Sequence, residues 1–201
     1  MRINYPKRAE ILPVLTKSEA HTITGSENNM ARTIRTKVYK FDGLNENAKQ
    51  KAIEDYRNTD SGDYQFAWDN TKEDAKEIGL KIIEISDKRP NKGEFMCAAN
   101  EVAQNIFNNH GEHCDTYKTA KDFMDEWQPV FNYYMDESHE DYESNESDDK
   151  LQEMEDDFLQ ALLEDYRILY NSAIENCNSD EYITEQIQAN EYEFTADGRR
   201  F

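Results

Sequence analysis

Apolar residues recur every three or four positions through much of the second half of the chain, a spacing typical of helices that bury one face. The longest such pattern, Lys150–Ala173, predicts the strongest helix of the protein. A second pattern covers Tyr117–Tyr134, where Pro129 is expected to kink or divide the helix. Between them, Asp136–Asp149 has no apolar stripe and is predicted to be a charged loop, whereas residues 180–189 predict a short helix.

The first half of the chain contains shorter helical patterns. Asn45 is a suitable N-cap for a helix that continues to Arg57. Residues 69–78 predict a second helix, which Gly79 should end because glycine adopts the left-handed conformation at little cost. Residues 100–109 carry apolar side chains at helical spacing and predict a third helix.

Strand signals are few and short. Thr33–Phe41 is rich in β-forming residues and predicts a first strand, although neither face is cleanly polar. The β-branched run at 80–85 and the segment Glu94–Cys97 flank a turn, which predicts a hairpin. Tyr192 and Phe194 predict an edge strand near the end. The fold class is therefore predicted as α+β, a small, largely antiparallel sheet packed by helices, with a mostly helical acidic C-terminal half.

Length and composition bound the organisation. Residues 1–29 show no sustained period and are predicted to be a flexible N-terminal extension, with Met30 as an alternative start. Residues 30–201 are predicted to form a single α+β domain, with an acidic helical subregion at about 116–173. We expect no membrane span, because no apolar run is long enough. The absence of an export signal and the odd number of cysteines, 3, favour free thiols in the cytoplasm of a host cell.

The net charge is confined to one part of the sequence. Residues 1–110 contain 17 basic and 17 acidic side chains, whereas residues 111–201 contain 6 basic and 26 acidic ones and account for the whole formal charge of −20. The excess is densest between Asp122 and Asp165, where 17 acidic side chains stand against Lys150 alone. A one-sided charge produces a directional field, which favours a partner of opposite charge.

A candidate partner-binding surface follows from this charge. The carboxylates predicted to form it are Asp136, Glu137, Glu140, Asp141, Glu143, Glu146, Asp148, Asp149, Glu153 and Asp156. A helix that rises ~1.5 Å per residue, with acids at two or three positions per turn, approaches the charge spacing of duplex DNA, one per ~1.7 Å. Such a surface would suit a protein groove that normally accepts nucleic acid. The simpler interpretation, a solvated acidic face that only maintains solubility, stays open at this point.

Metal chemistry has limited support in the sequence. An EF-hand loop beginning at Asp136 fails because its sixth position is not glycine. His110, His113 and Cys114 place three potential zinc ligands within five residues. A structural zinc site needs four protein ligands, and Cys97 is the only candidate for the fourth. The sequence therefore predicts no metal and no other cofactor, with His110, His113 and Cys114 as the remaining zinc candidates.

The motifs of common enzymes are missing from the sequence. It contains no Gly-x-Ser-x-Gly, no phosphate-binding glycine loop and no His-Glu-x-x-His, so we predict that the protein is not an enzyme. A direct nucleic-acid-binding module is a different class of function. It would use the cations of the neutral half, Lys37, Lys40, Lys49, Lys51 and Arg57, to contact phosphates.

Three aromatic residues follow a predicted polar turn at 58–63. Tyr64, Phe66 and Trp68, with Arg57 before the turn, could stack on unpaired bases. Aromatic residues at this alternating spacing more often belong to the hydrophobic core. We therefore expect them to be buried, with base stacking as the alternative.

Several segments resemble a group of small phage and prophage proteins of gut bacteria. They are Thr36–Asp42, Leu44 with Ala48–Ala52, Lys92–Phe95, Ala99–Asn105, His110–Cys114, and Glu191–Thr195 with Asp197–Gly198. The resemblance covers residues 33–201 and leaves out about the first thirty. The group is similar to proteins associated with inhibition of type II CRISPR nucleases. The resemblance therefore implies an interaction protein that acts against host defence.

These observations lead to one principal hypothesis and one alternative. We predict a phage-type, non-enzymatic inhibitor or interaction protein that binds a cationic host defence or nucleic-acid-handling protein, such as a CRISPR nuclease, with DNA mimicry as its mode. The alternative is a direct nucleic-acid-binding or metal-dependent binding module of a phage or mobile element. A zinc enzyme that uses His110, His113 and Cys114 is a third class.

Overall fold

A computed structural model of the protein describes residues 35–59, 62–138 and 145–201. Its elements are, in chain order, β1 (Tyr39–Lys40), a 3-10 turn (Phe41–Gly43), α1 (Glu46–Thr59), α2 (Gly62–Glu77), β2 (Leu80–Glu84), β3 (Lys92–Phe95), α3 (Ala99–Asn109), α4 (Asp115–Tyr134), α5 (Asn145–Cys177), α6 (Asp180–Ala189) and β4 (Glu193–Phe194). The predicted α+β class is confirmed, and the fold is mostly helical. The extension predicted at 1–29 lies outside the described residues.

The chain divides into two compact units. The first lies within the span Asp60–Tyr182, and the second combines the described residues 35–59 with Ile183–Phe201. By sequence, the first unit has 32 acidic and 10 basic residues, a formal charge of −22, whereas the rest of the chain carries +2. The acidic subregion predicted at 116–173 therefore belongs wholly to the first unit. The single domain predicted over 30–201 stays a prediction.

A β-hairpin lies in the first unit. β2 and β3 pair antiparallel, with Leu80 opposite Phe95 and an irregularity between Ile82 and Glu84. Gly79 precedes β2 with a φ of +90°, and a Cβ there would lie 2.7 Å from the sulfur of Cys97. Both facts require glycine, so the predicted role of Gly79 at the end of the helix is confirmed.

The hydrophobic core of the first unit is built from four helices and the hairpin. Its buried members are Ala75, Ile78, Leu80, Ile82, Ala99, Val102, Ala103, Ile106, Ala120, Phe123, Trp127, Leu151, Phe158, Leu162, Leu163 and Tyr166. Phe123 of α4 stacks on Phe158 of α5, with ring centroids 4.1 Å apart. The apolar spacing that predicted α3, α4 and α5 is therefore the spacing of their buried faces.

The second unit has a small sheet and a small core of its own. β1 pairs antiparallel with β4, so that Tyr39 lies opposite Phe194. The side-chain oxygen of Asn45 accepts a hydrogen bond from the backbone N–H of Ala48 at 3.0 Å, which confirms the predicted N-cap of α1. The buried apolar side chains of the second unit are Phe41, Leu44, Ala48, Ala52, Ile53, Tyr56, Ile183, Ile187 and Phe194.

Several predicted boundaries differ from the structure. The second strand of the hairpin is Lys92–Phe95 and not the predicted Glu94–Cys97. The described part of the first strand is only Tyr39–Lys40, followed directly by the 3-10 turn. α2 begins at Gly62 and ends at Glu77. The aromatic segment and the short helix predicted at 69–78 are therefore parts of one helix. α5 begins at Asn145, so residues 145–149 are not part of a charged loop. Acidic residues in the first turn of a helix are favoured by its dipole, which explains why so polar a segment is helical.

The two helices of the acidic half are continuous. α4 passes through Pro129 without interruption, so the helix is not divided there, and the alternative prediction of a kink stays a prediction. α5 runs over 33 residues, which extends the predicted Lys150–Ala173 helix at both ends. In the described ranges, no helix combines the length and the apolar character needed to cross a membrane.

Candidate functional site

The predicted acidic carboxylates are exposed wherever the structure describes them. Asp136 and Glu137 follow α4, and five further members lie on the first three turns of α5: Glu146, Asp148, Asp149, Glu153 and Asp156. We call these seven residues the acidic surface. Glu140, Asp141 and Glu143 lie outside the described residues.

The sequence of α5 explains why these side chains point to solvent. Ser147, Leu151 and Phe158 of the same turns are buried, and their spacing of four and seven residues marks one face of the helix. The carboxylates occupy the intervening positions. The helix therefore presents its acids outwards because its apolar residues are fixed in the core of the first unit.

On the first turns of α5, a lysine of the same helix compensates part of this charge. Lys150 pairs with Glu153 at 3.0 Å, three residues away on the same helix. The amide of Gln152 donates to Asp156 at 2.9 Å, which satisfies an oxygen but removes no charge. An exposed pair between residues three or four apart contributes little, so Lys150 compensates the field only locally.

The half-buried Glu155 lies beside the acidic surface and responds both to burial and to a neighbouring negative charge. The pKa of Glu155 is raised, chiefly by burial and also by the negative charge of Asp156, while the indole of Trp127 acts in the opposite direction. A raised carboxyl pKa means that a further negative charge is disfavoured here. A cationic partner would relieve the repulsion.

The charge spacing along α5 comes close to that of DNA. Seven carboxylates fall between Glu146 and Asp157, a stretch of about 17 Å at a rise of ~1.5 Å per residue. The mean spacing is therefore about 2.4 Å per charge, compared with ~1.7 Å along duplex DNA. This stretch of α5 thus carries somewhat less charge than a duplex of the same length.

The histidine and cysteine candidates line a different feature, a cleft of about 250 Å³ in the first unit. The side chain of His110 is only 4% exposed. Its Nδ1 lies 2.7 Å from the hydroxyl of Thr116, and its Nε2 lies 3.7 Å from a carboxylate oxygen of Asp74. His113 and Cys114 also line the cleft.

The zinc hypothesis gains no support from this arrangement. Across the described ranges, no group of three or more His, Cys, Asp or Glu side chains is placed to hold a metal ion. Nδ1 of His110 is already engaged by Thr116. Cys97, the proposed fourth ligand, lies beside Gly79, and its thiol pKa is raised by burial and by Glu101. A raised thiol pKa opposes the thiolate that zinc requires.

Sequence reasoning did not identify the other polar residues of the cleft. Asp74, Asp165 and the hydroxyl of Tyr166 come together with His110 from α2 and α5, far away in sequence. Single acids on the polar side of a helical pattern carry no signal of their own. Only the fully buried Tyr166, which stands in the apolar stripe of α5, could have indicated a buried polar contact.

The cations proposed to bind nucleic acid are partly neutralised. Lys40 lies 3.8 Å from Glu193, and Lys51 lies 3.7 Å from Asp197. The ammonium groups of Lys37 and Lys49 lie over aromatic rings, those of Tyr39 and Phe41. The remaining candidate, Arg57, is half-buried on α1. This set therefore does not form a row of uncompensated charges.

The aromatic residues of α2 contact other parts of the first unit. The ring of Trp68 lies edge-on to that of Tyr170, with centroids 5.2 Å apart. The hydroxyl of Tyr64 donates to the side chain of Asn178 at 2.5 Å. All three aromatics, including Phe66, are half-buried. The packing of Trp68 against Tyr170 of α5 and against the core supports the core interpretation over base stacking for this residue.

Comparison with known proteins identifies no relative. No family model, no curated protein and no solved structure matches this chain. The function must therefore be argued from the surface and the cleft themselves.

Proposed function

We propose that the protein is a phage-type, non-enzymatic interaction protein that binds a cationic groove of a host nucleic-acid-handling protein through the acidic surface. The observation that carries the proposal is the row of exposed, largely uncompensated carboxylates on the first turns of α5. A rigid helix holds these charges at nearly fixed spacing, as a DNA backbone does. A groove shaped and charged for DNA would attract them at long range and contact them closely.

The partner to test first is a type II CRISPR nuclease in the host cytoplasm. This choice follows from the resemblance to phage proteins that we inferred from the sequence of residues 33–201. A nuclease of this class holds its nucleic acids in a positively charged channel. The alternative, direct binding of nucleic acid, has weaker support because Lys40 and Lys51 are paired with carboxylates.

A matched pair of charge variants tests the proposal. The surface variant combines Asp148→Asn, Asp149→Asn, Glu153→Gln and Asp156→Asn. The control variant combines Glu54→Gln, Glu73→Gln, Glu175→Gln and Glu185→Gln, all of which are exposed elsewhere in the chain. Each variant removes four charges from the net −20. A difference between the two therefore reports position and not total charge.

The measurement is the Kd for a guide-loaded type II CRISPR nuclease over a series of salt concentrations, with duplex DNA as competitor. We expect binding that weakens steeply with salt, competes with DNA, is at least tenfold weaker in the surface variant and is nearly unchanged in the control variant. The proposal fails for this partner if the wild-type protein does not bind, or if both variants lose affinity equally. A mobility-shift assay in which the protein itself retains DNA would favour the alternative.

A further inference from the structure

The cleft that contains His110 has an unusual charge balance. It is formed by α2, the segment before α4, the start of α4, and α5. Three of its ten lining residues are carboxylates, Asp74, Asp115 and Asp165, and none of the described lining residues is lysine or arginine. Negative charge thus converges on a concave site from three helices.

Two of these carboxylates receive hydrogen bonds from neutral groups. Tyr166 donates its hydroxyl to Asp74 at 2.9 Å, and Thr119 donates its hydroxyl to Asp165 at 2.7 Å. Asp115 differs, because it pairs with Lys118 at 2.7 Å on the outside of α4. Burial raises the pKa of Asp165, and the charge of Asp115 raises it further. Lys118 therefore compensates Asp115 and acts more weakly on Asp165, whereas the hydrogen bonds described for the carboxylates of Asp74 and Asp165 come from hydroxyl groups.

His110 adds an observation that does not depend on the acids. Its side chain is nearly fully buried and lines the cleft, and Nδ1 is engaged by Thr116. Nε2 forms no hydrogen bond within the described part of the chain, since its neighbour, Asp74 Oδ2, lies 3.7 Å away. That separation exceeds hydrogen-bond distance. One polar atom of a buried ring therefore remains available beside a carboxylate.

An apolar wall completes the site. Ile168 is 47% exposed although it lies on a helix with a well-buried apolar face, and Leu169 is half-buried beside it. Both side chains line the cleft. A ligand that fits must therefore combine hydrogen-bond donors and positive charge at one end with a hydrocarbon body. The wall makes a bare metal ion or an anion a poor match.

We propose that this cleft binds a small organic cation of the alkylammonium class. The ammonium group lies among Asp74, Asp165 and His110, and the carbon chain lies against Ile168 and Leu169. Charge-assisted hydrogen bonds to a carboxylate in a partly desolvated site are stronger than neutral ones. The inference does not rest on the proposed function, because no residue of the acidic surface lines the cleft.

The test is calorimetric titration of the full chain with n-butylammonium and with putrescine, in comparison with neutral n-butanol and with acetate. We expect saturable, one-to-one binding of an amine and no binding of butanol or acetate. Asp165→Asn and Asp74→Asn should each weaken amine binding at least tenfold. Glu175→Gln, an exposed change on the same helix, should leave it unchanged.

A measurement on the wild-type protein keeps the proposal testable if a variant does not fold. The methyl resonances of Ile168 and Leu169 should shift on addition of n-butylammonium and should not shift with butanol. Absence of these shifts, equal effects of butanol, or equal weakening in Glu175→Gln would overturn the proposal. The last result would indicate only general attraction of cations to an acidic protein.

Discussion

At the residue scale, Gly198 is the position where the backbone tolerates least change. Its φ is +86°, and a Cβ there would lie 2.2 Å from the carbonyl oxygen of Ala48. Gly198→Ala therefore combines left-handed strain with a collision against a helix backbone that cannot move aside. We expect a loss of at least ~2 kcal/mol in the free energy of unfolding of the second unit, measured by urea denaturation.

The matched control is Gly111→Ala. A Cβ at Gly111 meets nothing within 4 Å, and Gly111 is not among the glycines with positive φ. This substitution should change stability by no more than ~0.5 kcal/mol. Gly198 lies in the turn before Arg200, the residue that bridges to Phe194 of β4. Equal effects of the two substitutions would show that neither the positive φ of Gly198 nor its close contact with Ala48 limits stability.

Asp165 permits a prediction with a defined pH dependence. Its pKa is raised above the ordinary 3.8, chiefly by burial, so the folded state holds the proton more tightly than the unfolded state. The carboxylate therefore costs stability increasingly as the pH rises from 3.8 through the raised pKa. Asp165→Asn should stabilise the protein at pH 7, on the order of 0.5 kcal/mol, because the amide oxygen can still accept from Thr119.

The pH profile separates this explanation from an unrelated gain in packing. The advantage of Asp165→Asn in thermal unfolding should shrink as the pH falls and vanish below 3.8, where the aspartate is protonated in both states. An advantage that persists at low pH, or a destabilised variant at pH 7, would contradict the assignment of burial as the cause.

At the element scale, Pro129 is an exposed proline inside a continuous helix. Proline supplies no N–H to the helical ladder and its ring crowds the preceding turn, at a cost of ~3 kcal/mol in a regular helix interior. Pro129→Ala should therefore raise the free energy of unfolding by about 1–3 kcal/mol in chemical denaturation. Gln128→Ala, a change at the exposed neighbour, should stay within ~0.5 kcal/mol. A destabilised Pro129→Ala would show that the proline does not weaken the helix.

Local patterns predicted the helices well where a cap or an apolar stripe marks them. Asn45 caps α1, Gly79 follows α2, and the stripe of α5 is buried as expected. The start of α2 was missed because Tyr64, Phe66 and Trp68 alternate as strand residues do. Their helical state depends on partners such as Tyr170, more than a hundred residues away, which local spacing cannot reveal.

The acidic surface and the cleft also differ in how far the sequence could predict them. Exposure of the acidic surface follows from the apolar face of its own helix, and it could be predicted. The cleft required α2, α4 and α5 to meet, and nothing in the sequence near His110 indicates that Asp74 and Asp165 lie beside it. The pairing of β1 with β4 is also a long-range contact, because it joins the two chain segments that form the second unit.

At the scale of the whole molecule, the distribution of charge predicts a response to salt. The first unit carries −22 by sequence, and its carboxylates repel one another at distances that water screens poorly at low ionic strength. An increase in NaCl from about 0.01 M to about 0.1 M shortens the Debye length from ~30 Å to ~10 Å. We expect the midpoint of thermal unfolding to rise by about 2–4 °C, which corresponds to ~1 kcal/mol for a protein of this size.

Salt also weakens the attractive pairs, so the sign of the response depends on which effect is larger. The lysine and arginine pairs described in the first unit lie at the surface, as in the bridge of the partly exposed Arg167 to Asp87 and Glu164, and surface pairs contribute little each. Repulsion is summed over the whole excess of acid, so it should dominate. The surface variant defined above should start with a higher midpoint at low salt and gain less from added NaCl. A wild-type midpoint that falls with salt would show that the pairs compensate the excess acid.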